Sequence, residues 1–119
     1  MTEESPNTAF VYLYRDAHNY KKWGEVVFPG RCSSEYEERI RAACISRQWF
    51  VARKIRVPSV FLYNEPEYSF TDADHGWHEF AELQPTDEAP TDKYEREIGE
   101  FVEEFEEMKD GFNETRWIP

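Results

Sequence analysis

The residue types best suited to chemistry fall in one short run, Asp72-x-Asp74-His75-x-x-His78-Glu79. Carboxylate oxygens and imidazole nitrogens spaced this closely could hold a divalent cation. One carboxylate would remain to act as a base on a bound water, which is metal-dependent hydrolysis. The spacing matches neither H-E-x-x-H nor the aspartate-rich calcium loop. On a strand, His75 and His78 would point to opposite faces, so a turn between them would be needed to bring both to one ion. The same residues also read as a polar turn, with Asp side chains bonding backbone amides, followed by an ordinary strand. Cys32 sits just before an expected helix start, where a thiolate would be stabilised. No base can be placed beside it from sequence, because His18, His75 and His78 have no fixed relation to it. A structural cysteine is the simpler reading. Five glycines form no G-x-S-x-G, Walker loop or G-x-G-x-x-G, so no phosphate cradle and no cofactor is expected.

Binding residues are easier to find. Arg15, Tyr20, Lys21, Lys22, Trp23 and Arg31 interleave basic and aromatic side chains, the combination that grips single-stranded nucleic acid. The net charge of −11 argues against that partner and against anionic membrane. Surface Lys beside Tyr on paired strands explains the pattern equally well. Residues 1–71 carry a balance of +1 and residues 72–119 a balance of −12. The acidity is concentrated where Glu95, Glu97, Glu100, Glu103, Glu104, Glu106 and Glu107 crowd a helical stretch. That face is either simply solvated or a docking surface for a basic partner.

The elements that must position these residues follow from periodicity. Thr8–Tyr14 is β-branched and aromatic without a polar break, which predicts a strand covered on both faces. Tyr20–Phe28 predicts a second strand, stopped by Pro29-Gly30 and joined to the first as a hairpin through the turn-rich 15–19. A helix over 34–46 follows, capped at Ser33 or Ser34, with Ser34 and Glu37 at capping-box spacing and Glu35–Arg39 and Glu37–Arg41 pairing along its outside. Alternation at Lys54–Val57 suggests an edge strand ending at Pro58, and Val60–Tyr63 another strand or a loop. Trp77–Leu83 predicts a strand with Trp77 and Leu83 on one face and Phe80 on the other, and residues 84–92 a loop. The last helix is capped at Asp92 with Glu95. It carries Tyr94, Ile98, Phe101, Val102, Phe105 and Met108 as its apolar stripe and ends at Gly111. Gly99 within it suggests close packing against the sheet. The fold class is α+β, a mainly antiparallel sheet with two helices packed on one face. Residues 1–7 are expected to fray, and 8–119 to form one domain.

The segment Y-R-D-A-H-N-Y-K-K-W-G-E (Tyr14–Glu25), with the later W-H-E-F at Trp77–Phe80, resembles a group of small bacterial proteins of uncharacterised function that share a Y-R-D-x-x-N-Y-K-x-W-G-E opening. The resemblance implies a bacterial, cytosolic origin and brings no activity or site residue with it.

Nine Phe, seven Tyr and four Trp outnumber the fifteen Val, Ile and Leu, so the core is expected to be largely aromatic, with some Tyr and Trp half exposed. MTEESPNTAF lacks the basic and apolar regions of a signal peptide, and no apolar run is long enough to span a bilayer. Cys32 and Cys44 form no C-x-x-C pair and read as reduced thiols. These features point to a cytoplasmic, non-enzymatic protein that binds or regulates another protein, possible contacts being Arg15, Tyr20, Lys21, Trp23, Glu100, Glu103, Glu104 and Glu107. Self-association through the aromatics is a further option. The alternative is a small metal-dependent hydrolase built on Asp72, Asp74, His75, His78 and Glu79.

Overall fold

The computed structural model describes residues 5–16, 18–60 and 77–112. Among these, β1 (Asn7–Arg15), β2 (Lys21–Pro29), β3 (Trp49–Phe50) and β4 (His78–Thr86) lie in the order β2-β1-β4-β3, each neighbouring pair antiparallel. Two helices, α1 (Ser34–Ala43) and α2 (Ile98–Phe112), pack on one face of this sheet. The protein is therefore α+β, as the periodicities predict. None of the described helices is long and apolar enough to cross a membrane.

β1 is central because it is apolar on both faces: Ala9 and Leu13 are buried on one, Phe10 and Tyr12 on the other. Asn7, placed by sequence in a fraying terminus, opens this strand, and the Pro6 carbonyl accepts from the Gly30 amide. Phe10 is the hub of the aromatic core, with ring centroids of Tyr12, Phe50, Phe80, Phe101 and Phe105 between 4.9 and 6.2 Å away. The hairpin turn closes as its residue types require. Asp16 Oδ1 accepts from the amides of His18 and Tyr20, and Asn19 takes φ 71°. Opposite Tyr12 in β2 stands Gly24, and the Tyr12 ring lies directly over it. A Cβ at Gly24 would come within 2.7 Å of that ring.

α1 starts at Ser33, whose Oγ accepts from the amides of Glu35 and Tyr36. Ser34 is not the cap, and Glu37 does not close a capping box. Its carboxylate instead accepts from the Leu83 amide of β4. The expected pairs along the outside of α1 are likewise replaced by ties between elements. Arg39 grips Glu106 of α2, and Arg41 donates to the Ala81 carbonyl. The helix stops at Ala43, not at residue 46, where Cys44 turns to extended backbone.

Three further expectations are corrected. The alternation at Lys54–Val57 belongs to a 3₁₀ turn, Ala52–Ile55, that buries Ala52 and Ile55, while the edge strand is the earlier β3. β4 runs on through Pro85 to Thr86, into the expected loop. β3 pairs only with His78 and Glu79, so among the described residues no strand on the outer side of Pro85 would need an amide hydrogen. A bulge at Ala81 shifts the β1–β4 register between Val11 and Tyr12. It places both Phe80 and Leu83 in the core, where strict alternation would separate them. Val60 is described and lies half-buried against the core, whereas 61–63 fall outside the described residues.

α2 begins at Ile98, five residues later than a helix capped at Asp92 would. Glu95 sits at φ 55°, outside helical geometry, and the Asp92 carboxylate is turned to Arg96. The stripe itself holds from Ile98 onward, with Phe101, Val102 and Phe105 buried. Gly111 lies inside the helix, with Lys54 against it, and does not end it. Gly99 marks a close approach to Tyr36 of α1, not to the sheet: a Cβ there would stand 3.1 Å from the Tyr36 hydroxyl.

Candidate functional site

The four glutamates singled out on the last helix, Glu100, Glu103, Glu104 and Glu107, are spaced i, i+3, i+4, i+7 and so form a single file along α2. The buried stripe of Ile98, Phe101, Val102 and Phe105 fixes the helix against the sheet and turns this file outward. Glu100, Glu103 and Glu107 are exposed. With Arg56 and Arg96 the file borders a shallow groove of about 250 Å³.

Both arginines of that groove are already engaged. Arg96 is only 6% exposed. Its Nε and Nη2 grip Asp92 at 3.0 and 2.9 Å, Nη1 donates to Glu104 and to the Ile55 carbonyl, and Nη2 also donates to the Arg56 carbonyl. All five guanidinium hydrogens thus have acceptors. The guanidinium also faces the rings of Phe28, Tyr94 and Phe101 at 5.1–5.5 Å. Burial alone would raise the Asp92 pKa, but the hydrogen bonds and charge of Arg96 outweigh it and hold the carboxyl below its ordinary value. Arg56 makes a two-pronged pair with Glu104 and stacks on Tyr94 at 4.4 Å. With these cations committed to Asp92 and Glu104, the field over the groove is set by Glu100, Glu103 and Glu107. Sequence reasoning missed the Arg96 cluster. Its one signal, Asp92 four residues before Arg96, is also the spacing of an ordinary helical ion pair.

The hairpin residues diverge. Arg15 is bound to Glu79 of β4, Nε to Oε2 at 3.0 Å and Nη2 to Oε1 at 3.3 Å, and its Nη1 meets Asn19 at 2.5 Å. It serves the sheet. Lys21, Tyr20 and Trp23 are exposed, the two rings at 60% and 58%. Lys21 and Trp23 belong to β2, which ends the sheet among the described residues, and Tyr20 immediately precedes it.

Of the candidate metal ligands, Asp72, Asp74 and His75 fall outside the described residues. His78 and Glu79 point to opposite faces of β4. His78 is fully buried, ringed by Tyr12, Tyr14 and Phe50 at 5.8–6.0 Å, and its Nε2 accepts from the Val60 amide at 2.9 Å. That nitrogen is therefore engaged, and Glu79 is held by Arg15 on the other face. Among the described residues no group of three or more His, Cys, Asp or Glu is placed to hold a metal ion. Cys32 is half-buried beside Ser33 and Cys44 is buried, and neither forms a disulfide. Burial pushes the Cys44 thiol up to about 12, Arg41 and Arg47 opposing only weakly.

No protein-family model, curated protein or solved structure matches the chain.

Proposed function

We propose that the protein works by binding another protein, and that it takes a basic segment of that partner along the glutamate file of α2. The observation that carries this reading is the alignment of Glu100, Glu103, Glu104 and Glu107 on one helix face, three of them exposed, beside a groove whose two arginines are already neutralised. A Lys- or Arg-rich helix or loop laid there would meet carboxylates at successive turns, and its attraction would fall as salt screens them. A reducing compartment, the cytoplasm of a bacterium, suits two cysteines that form no disulfide and belongs to the same proposal.

The test is capture from nuclease-treated lysate at low and moderate salt, with the wild type and Glu103→Lys/Glu107→Lys as baits. Both positions are exposed, so the double variant keeps the fold. The expected result is a stoichiometric basic partner on the wild type, released by moderate salt and absent from the variant. No partner at either salt, or the same partner on both baits, would refute the reading.

A further inference from the structure

Among the described residues β2 has a neighbouring strand on one side only, and its other edge is independent of α2. On β2 the even-numbered residues bond to β1. The flanking bonds from Gly30 to Pro6 and from Asp16 to Tyr20 continue that ladder at both ends. Odd-numbered residues therefore turn their main chain away from β1. Val27 shows this directly. Its amide donates to Thr91 Oγ at 2.9 Å, and its carbonyl accepts from the amides of Thr91 and Asp92. The β1–β2 register has no irregularity, so Lys21, Trp23 and Glu25 present their amides and carbonyls in the same direction. Among the described residues these three main-chain positions have no partner, and Lys21 and Glu25 make no ion pair. The open stretch is bounded by the Thr91 contact at one end and the Asp16–Tyr20 turn at the other.

We infer that this edge pairs with the same edge of a second copy of the chain. Among antiparallel registers available to three outward positions, one uses all of them: a two-fold axis through Trp23. Lys21 then stands opposite Glu25 of the other copy and Glu25 opposite its Lys21, while the two Trp23 rings meet as a cross-strand pair. Centring on Lys21 would oppose two lysines. Centring on Glu25 would oppose two glutamates and run into the Thr91 contact at Val27. Lys-x-Trp-x-Glu is thus self-complementary in charge at the one register that satisfies every free main-chain group. The same pairing covers Trp23 and Tyr20, the most exposed large hydrophobic residues among those described. The four described strands of each copy join into one continuous sheet. Three residue pairs make a small contact, so the affinity belongs to the weak, micromolar class.

Sedimentation equilibrium of the full chain, from about 1 to about 300 µM to bracket a micromolar Kd, tests this. The wild type should move from 14.3 kDa to twice that mass with rising concentration. Lys21→Glu and Glu25→Lys each place like charges in contact twice and should weaken dimerisation about tenfold or more. An equimolar mixture of the two variants restores both opposite-charge pairs and should sediment as a 1:1 heterodimer. Circular dichroism of each variant checks that the fold is kept. A wild type at 14.3 kDa throughout, single variants that dimerise like wild type, or a mixture that stays monomeric would each overturn the inference. None of these readouts depends on the α2 glutamates, whose own test is partner capture.

Discussion

Replacing Arg96 with Met tests whether the guanidinium cluster holds the fold's last third in place. Met keeps the unbranched stem and removes the charge. Left behind are the Asp92 carboxylate, whose side chain is only 2% exposed, and the Ile55 and Arg56 carbonyls that the guanidinium satisfied. Asp92 retains the Arg96 backbone amide. Glu104 keeps Arg56 and is not orphaned. Removing one partner of a buried ion pair costs about 3–5 kcal/mol. A domain of this length has about 6–18 kcal/mol in total. With a urea m-value of about 2 kcal/mol/M, the midpoint should fall by about 1.5–2.5 M. Tryptophan fluorescence reports the transition, and Arg47→Met, at the exposed pair with Glu38, should leave the midpoint in place. The pH dependence has a definite sign. Asp92 in the folded protein lies below its unfolded value of about 3.9, so its contribution is complete above that pH and is lost as pH falls toward the folded value. In Arg96→Met only the backbone amides of residues 94 and 96 still oppose burial, so the Asp92 pKa rises from its wild-type folded value and acid unfolding should begin at higher pH than in the wild type. A midpoint shift of less than about 0.5 M, the scale of a surface pair, would refute the cluster's structural role. So would an unmoved acid limb.

Two more outcomes are expected. Gly24→Ala drives a Cβ to 2.7 Å from a Tyr12 ring that is tethered by its 2.6 Å bond to the Pro58 carbonyl, and should cost about 1–3 kcal/mol; an unchanged thermal midpoint would show that the ring yields freely. In Cys32→Ser protein at pH 8, Cys44 should ignore a disulfide reagent until denaturant is added, and rapid labelling of the native state would contradict its burial.

Local pattern revealed the elements whose physics is local. The hairpin is legible because its strands are aromatic and β-branched and its turn is built of Asp and Asn. The α2 stripe and its glutamate file are legible because helical spacing needs no tertiary information. Failures arose where a distant group changed a local preference. Asp92 could not be recognised as a partner of buried Arg96, since that geometry depends on carbonyls of Ile55 and Arg56 some forty residues away. Glu37 and Arg39 looked like partners on their own helix, yet Leu83 and Glu106 offered them ties between elements. Phe80 and Leu83 were separated by a period of two that the Ala81 bulge interrupts. The outward main chain at Lys21, Trp23 and Glu25 could not be seen before the strand order was known, because only that order shows which side of β2 has no strand beside it among the described residues.

The position of β1 between β2 and β4 also orders the assembly of the domain in time. Its pairing with β2 closes a short turn, an event of microseconds. Its pairing with β4 joins Asn7 to Thr86 across most of the chain, and the loop-closure entropy falls due before any of those contacts form. Until β4 arrives, the second edge of β1 stays open beside Phe10. The interval between hairpin closure and β4 docking is therefore when this chain is most exposed to pairing with the wrong strand.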